Sequence, residues 1–366
     1  MKTDFCKAMR KSYWQKALLA ISLILFLLAQ SGCQIAPRNA RKPLPLGRKM
    51  KVIGFFMDLS GPDSSFESLK KYADYIDVVS PMWIIVNEDG SIQDNTSMEV
   101  IRFARSRGIK VIPLVALNKS KDTVLVMENA RLRAVTNILA AVRKYNFDGV
   151  NIDFEIIPTT AQTVVRDKNL ITEFMRMISR ELKKMNKVVQ MSIVPPFQTA
   201  PTLAGLYDIP SLSKMADHIV LMTYDKHEAS SPPGPVAPLA WAENNLKRAR
   251  ELGLKPEQTL LGVATYGYDW PEGQPGGFSS PTKEILAKAR REGIEIKWSR
   301  EYQEPYYIYY NPVQGRNREV WFENSVTMKQ KIDLAKKYGI YGIAVWRLGF
   351  ETPKHWDVVA QNIGRR

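Results

Sequence analysis

From Lys51 onward, short apolar runs alternate with segments whose apolar positions recur at helical spacing. KVIGFF (Lys51–Phe56) is the first run, and the helical FESLKKYADY follows it. IDVVSP (76–81) and KVIPLVA (110–116) come next, separated by MEVIRFARSRG. The long periodic ARLRAVTNILAAVRKY leads into FDGVNIDFE (147–155). VVQMSIVPP (188–196), HIVLMTYD (218–225), TLLGVATYGYDW (259–270) and YGIAVWRLGFE (341–351) complete the series. Continuous β-rich runs, rather than clean alternation with charge, mark strands buried on both faces, as parallel sheets require. Eight of them interleaved with helices predict an α/β fold of the (β/α)8 TIM barrel type rather than an open doubly wound sheet. No Gly-rich nucleotide loop follows the first strand.

One connection is oversized. About 50 residues separate the seventh strand from the helix NSVTMKQKIDLAKKYG, too many for a structureless loop. They are rich in Pro, Gly and Tyr, as in YQEPYYIYYN, and predict a small α+β insertion over about 271–318, at the C-terminal rim of the barrel.

The amino terminus has a different pattern. Lys2, Lys7, Arg10, Lys11 and Lys16 precede the apolar ALLAISLILFLLA (17–29). That stretch is shorter than the roughly 20 residues of a spanning helix and reads as an export signal. Ala29-Gln30-Ser31-Gly32-Cys33 is similar to a bacterial lipoprotein cleavage site, although Gln30 stands where Leu is usual. The expected division is a signal over 1–33 with lipidation at Cys33, a Pro-rich basic tether over 34–48, and a catalytic barrel over 49–366. Plain secretion and an uncleaved anchor remain the alternatives.

Composition narrows the class. A hydrophobic share of 45% fits a large core, and 52 basic against 37 acidic residues give +15. Such a balance favours an anionic neighbour: a membrane surface, a wall polymer or nucleic acid. The basic residues are dispersed without zinc-finger or RNA-binding spacing, so nucleic acid is not expected. No cysteine follows Cys33, so neither a disulfide framework nor a cysteine metal site is available there. The three histidines, His218, His227 and His355, show no metal-ligand spacing. No metal or cofactor is expected, and the expected state is a monomer.

FDGVNIDFE carries the chemistry. Side chains alternate along a strand, so Asn151, Asp153 and Glu155 share one face while Val150, Ile152 and Phe154 share the other. In a barrel the polar row lies inside and climbs toward the C-terminal mouth, where barrel enzymes place their sites. Burying acids without partners is costly, so a core serving stability alone would use Val or Ile. A buried hydrogen-bond network is the structural alternative. Asp148 is expected to serve the turn before the strand.

FDGVNIDFE also resembles the DGxDxDxE signature of glycoside hydrolase family 18, the chitinase-like barrels, and most nearly the spore-germination and cortex-lytic N-acetylglucosaminidase branch. MTYD (222–225), SPPGPVAPLAW, GVATYGYDW, VWFEN and VWRLGFE extend the resemblance from about Lys51 to the C-terminus. It implies retaining hydrolysis in which the substrate's 2-acetamido oxygen is the nucleophile and forms an oxazolinium ion, a departure from the two-carboxylate scheme. Glu155 would be the general acid and base, protonated at rest. Asp153 would orient the acetamide, and Tyr224 would hydrogen-bond its oxygen. Asn151, Met222, Asp225, Tyr266, Tyr268 and Trp346 would bind substrate, with Trp346 as the floor. Tyr266, Tyr268 and Trp270 line the groove or simply pack, and the tyrosines of YQEPYYIYYN stack on sugars or fill a core. Asn151 replaces the first Asp of the family row; its amide is expected to donate toward Asp153 and alter the pH profile. Peptidoglycan or another N-acetylglucosamine-containing oligosaccharide is the implied partner, met outside the cytoplasm at a lipid-anchored or secreted location. Chitin hydrolysis and an inactive sugar-binding barrel are the alternatives.

Overall fold

The structure, a computed structural model, describes residues 50–57, 64–118, 123–156, 160–197 and 205–366. The predicted export signal, Cys33 and the tether lie outside the described residues. β1 (Lys51–Phe56) and β2 (Val78–Val86) open the barrel, and β3 (Ile92–Asp94) forms a hairpin with β2. The third barrel strand is split by Pro113 into β4 (Lys110–Val111) and β5 (Leu114–Leu117). β6 (Gly149–Asp153), β7 (Val188–Ile193), β8 (His218–Leu221), β9 (Thr259–Ala264) and β15 (Gly342–Trp346) follow. β1 pairs in parallel with β2 and with β15, Ile53 opposite Val78 and Gly54 opposite Val345, so the ring closes without an edge.

Among the described residues, eight helices longer than one turn surround it: α1 (Ser65–Tyr72), α2 (Met98–Ser106), α3 (Glu128–Tyr145), α4 (Ala161–Lys184), α5 (Ile209–Met215), α6 (Leu239–Glu251), α8 (Ser325–Tyr338) and α9 (Pro353–Asn362). The predicted (β/α)8 barrel is therefore the observed fold. Among the described residues no helix is long and apolar enough to cross a membrane.

Local sequence sets the approach to β6. α3 buries Ala134, Ile138, Leu139 and Val142, then stops at Asn146, whose φ of 51° is left-handed and turns the chain into FDGV. A β-carbon on Gly149 would stand 2.1 Å from the Val188 carbonyl oxygen, so only glycine lets β6 start beside β7.

The insertion is a five-stranded antiparallel sheet in the order β11-β10-β14-β13-β12, with α7 (Thr282–Glu292) on one face. Its strands are β10 (Tyr266–Pro271), β11 (Phe278–Pro281), β12 (Lys297–Ser299), β13 (Glu304–Asn311) and β14 (Arg316–Phe322). TLLGVATYGYDW is therefore not one strand, and the insertion begins before the expected residue 271. Thr265 makes the break: its amide donates to the Trp346 carbonyl at 2.9 Å and its hydroxyl to that of Arg347 at 2.9 Å. Ile285 and Ala289 of α7 pack on Tyr307, Val320 and Phe322. Glu304, fully buried, accepts the amides of Val236 at 2.8 Å and Ala237 at 2.6 Å. That fastens the insertion to the loop between β8 and α6.

Candidate active site

β6 divides its side chains as the alternation requires. Phe154 faces outward, its ring 4.7 Å from that of Phe174 on α4, while Asn151 and Asp153 point into the barrel. Where the strands end, a cavity of about 120 Å³ opens, lined by Phe55, Asp153, Glu155, Val194, Pro195, Met222, Tyr224, Asp225 and Trp346. Six of these nine were singled out by the sequence, and none of the nine is basic.

Each flank is held by local structure. Past β8 the chain tightens, the Thr223 amide donating to Leu221 and the Tyr224 amide to Met222, at 2.8 and 2.9 Å. Asp225 then takes a left-handed φ of 58°. A β-carbon on Gly262 would lie 2.9 Å from the Tyr224 ring, so glycine in β9 leaves room for that phenol. Tyr266 and Tyr268 both donate to one oxygen of Asp225, at 2.5 and 3.0 Å. Trp346 meets Phe55 edge-on, ring centres 5.2 Å apart.

The electrostatics are unusual for three carboxyls at one opening. Burial pushes Asp153 well above the ordinary carboxylate range, and the neighbouring Glu155 adds to the rise. One Asp153 oxygen, buried, finds no hydrogen-bond partner among the described residues. Glu155 is reached by solvent through the cavity yet ringed by protein, and it too is raised, by desolvation first and then by Asp225. Burial lifts Asp225 to about 6 against the lowering effect of its two tyrosine donors. Tyr224 is raised well above its ordinary value by burial and then by Asp153, so its hydroxyl keeps its proton and remains a donor. The arrangement presents two raised carboxyls, a phenol donor and an unpartnered carboxyl oxygen to one small space with an aromatic wall.

Other expectations fare differently. Tyr266 and Tyr268 stand behind Asp225 rather than in the cavity wall. Trp270 is fully buried, its indole N–H donating to the Glu228 carbonyl, so it packs and does not line the groove. Asn151 donates to Ser192 at 3.0 Å instead of to Asp153, since the parallel pairing of β6 with β7 brings that hydroxyl within reach. Asp148 accepts the Val111 amide at 2.8 Å, consistent with a turn and strand-start role. Tyr307 is buried beneath α7 and Tyr309 donates to Asp269, whereas Tyr306 stacks on Trp321 with ring centres 4.6 Å apart.

Phe55, Val194 and Pro195 were missed, although each lies in an apolar run at or just past the C-terminal end of a strand, the place a barrel offers to its site. Tyr207, buried with its hydroxyl donating to the Phe154 carbonyl at 3.1 Å, had no sequence signal at all. Among the described residues no group of three His, Cys, Asp or Glu is arranged to hold a metal ion.

The profile of the glycosyl hydrolases family 18 matches residues 42–351. YdhD of Bacillus subtilis (strain 168), provisionally named a sporulation-specific glycosylase, is 30% identical over 321 residues, 82% of this chain and 73% of that protein. The cortical fragment-lytic enzyme of Bacillus anthracis is 26% identical over 291 residues; these are 75% of this chain but only 65% of that enzyme. Among solved structures, a chitinase from Chromobacterium violaceum ATCC 12472 superposes with a TM-score of 0.76 at 25% identity, covering 87% of this chain and all of that one.

Proposed function

The chain belongs to family 18 of the glycosyl hydrolases, and from that premise we propose that it cleaves β-1,4 bonds of N-acetylglucosamine in peptidoglycan with retention, through an oxazolinium intermediate. As a glycosidase of the chitinase and cortex-lytic type it acts on carbohydrate containing N-acetylglucosamine. The observation that carries the finer reading is the pairing of Glu155 with Asp153: two raised carboxyls facing one cavity, one of them with an unpartnered oxygen.

The assignment of steps follows from those environments. Glu155, protonated at rest, gives its proton to the leaving glycosidic oxygen. The acetamido oxygen of the same sugar attacks the anomeric carbon, and the acetamide nitrogen gains positive charge. Asp153, at the foot of the cavity, accepts the acetamide N–H with its unpartnered oxygen and balances that charge. Tyr224 donates to the acetamido oxygen and aligns it for attack, and Trp346 supports the sugar face. Water then opens the oxazolinium ion as Glu155 takes the water's proton, restoring the acid. Glu155→Gln should lower kcat about 10³–10⁴-fold, read as reducing ends released per folded enzyme, since its amide cannot shuttle the proton.

Peptidoglycan is preferred because two similar proteins carry sporulation and cortex-lytic names. Chitooligosaccharide hydrolysis is the second reading, favoured by the full-length superposition with a chitinase. Incubating the enzyme with purified peptidoglycan and with chitooligosaccharides separates them. Reducing-end N-acetylglucosamine fragments from peptidoglycan support the proposal, cleavage of chitooligosaccharides alone replaces it, and binding without cleavage of either leaves a sugar-binding barrel. The basic, apolar and small-residue segments ending at Cys33 support a location outside the cytoplasm with a lipid on that cysteine. Loss of fatty-acid labelling in Cys33→Ala is the check.

A further inference from the structure

The end of the barrel opposite the cavity carries a concentration of positive charge. Strands are parallel and helices return antiparallel to them, so every strand start and every helix C-terminus lies at this base. Five barrel helices end on a basic pair, among them Arg143–Lys144, Lys183–Lys184 and Lys336–Lys337. α2 and α5 end on single basic residues, and the chain closes with Arg365–Arg366. The macrodipole accounts for cations at helix ends. It does not account for the lysines at strand starts: Lys51 on β1, Lys110 on β4, Lys187 before β7 and Lys255 before β9.

Acids offset part of this charge: Asp77 pairs with Lys51, Asp74 with Arg107 and Arg365, Asp94 with Lys144, Glu181 with Lys184, Glu243 with Lys337 and Glu251 with Arg248. Lys110, Lys183, Lys214, Arg250 and Lys255 stand outside these pairs. Asp77, Asp148 and Asp217 each give a carboxylate oxygen to the amide of a neighbouring strand, Val52, Val111 and Val189, at 2.9, 2.8 and 2.8 Å. The rim is also continuous. Arg366 donates to the Gly108 carbonyl, Arg105 to those of Tyr145 and Asn146, Lys187 to the Asn146 side chain, and Gln258 to the carbonyls of Ser213 and Ala216. Tyr341 joins the loop before β9 to the start of β1, its amide donating to Pro256 and its carbonyl accepting from Lys51, both at 2.9 Å. A cleft between α5 and the loop after α6, lined by Lys214 and Lys255 beside Pro210 and Leu252, opens on the same face.

We propose that this base is a docking surface for an anionic lipid bilayer, which holds the barrel with its catalytic mouth turned away from the membrane. Charge complementarity is the first argument: each basic side chain near an anionic leaflet contributes separately, so a broad face outperforms a single strong site. Connectivity is the second. β1 begins at Lys51 on this face, so the sequence preceding it, basic at Arg38, Arg41, Lys42 and Arg48, joins the barrel there. Substrate access is the third, because docking by the base leaves the cavity open on the far side. The inference rests on the extracytoplasmic reading for its setting, not for its geometry, and it does not depend on which glycan is cleaved.

The test uses the full chain reconstituted on neutral vesicles and on vesicles containing an acidic phospholipid, with amine labelling read by mass spectrometry. Lys183, Lys184, Lys214 and Lys255 should label at least fivefold less on the acidic vesicles, whereas exposed Lys297 and Lys354, away from the base, should not change. Raising the salt to about 1 M, where the screening length falls to about 3 Å, should abolish the protection. Equal labelling on both vesicles overturns the proposal. Protection by soluble poly(glycerol phosphate) without protection by acidic vesicles also overturns it, in favour of a polyanion. Failure to associate with neutral vesicles at all would count against the lipid anchor alone, since acidic vesicles would still protect the base. The quadruple variant Lys183→Gln, Lys214→Gln, Arg250→Gln, Lys255→Gln should lose protection of Lys336 and Lys337 and keep its activity on soluble oligosaccharide.

Discussion

The two ends of this barrel hold aspartates in the same structural position, beside a strand terminus, and use them oppositely. At the base, Asp77, Asp148 and Asp217 each accept the amide of a neighbouring strand's second residue. At the mouth, Asp153 keeps a buried oxygen without a partner and its carboxyl is driven upward. A carboxylate that closes an orphan amide stabilises the fold; one denied such a partner stores a bias toward whatever donor arrives. Residue type does not distinguish the two roles. Which end of the strand it stands on does.

Substitutions sharpen that contrast by moving different observables. Asp153→Asn should lower kcat roughly 10²–10³-fold, because the amide cannot carry the balancing charge, while the melting temperature stays level or rises. Steady-state kinetics beside a thermal melt would show both, and a fall in stability with normal kcat would place Asp153 among the structural aspartates. Asp77→Ala should do the reverse. It leaves the Val52 amide without its acceptor and Lys51 without its partner, lowering stability by about 2 kcal/mol in denaturant unfolding with kcat unchanged.

The base also holds an acid-sensitive group. His218, stacked on Tyr341 at 4.0 Å, is lowered to about 4, chiefly by burial, with Asp217 opposing and Lys110 assisting. The unfolded chain binds this proton near 6.5 and the folded chain only near 4, so stability present at neutral pH is lost as pH falls across that interval. After allowing for partial exposure the loss is about 2 kcal/mol, and His218→Gln should flatten that part of the stability–pH curve. The smallest effect is at the mouth. Asn151→Asp adds a carboxylate beneath Asp153 and should shift the pH–rate profile by roughly one unit or less while leaving the plateau nearly intact. An unmoved curve would show that the Asn151–Ser192 pair isolates the two positions.

Much of this architecture was legible because the strands are buried on both faces and announce themselves as unbroken apolar runs. The polar row in FDGVNIDFE was legible for the complementary reason: it interrupts such a run with period two. What the sequence concealed depends on distant partners. Thr265 looks like the middle of a strand until Trp346 and Arg347 take its hydrogen bonds. Trp270 stands open between groove and packing until Glu228 supplies its acceptor. Asn151 had two plausible neighbours, and only the register of β6 against β7 puts Ser192 within reach.

Glu304 couples events that sequence distance would separate. It grips the amides of Val236 and Ala237 from 68 and 67 residues away, and that loop continues from Asp225. Undocking of the insertion would therefore free the lip of the cavity in the same step, so the two would open as one cooperative unit. Hydrogen exchange at those two amides would then clock the insertion's own excursions, a view of the active-site rim obtained without any substrate.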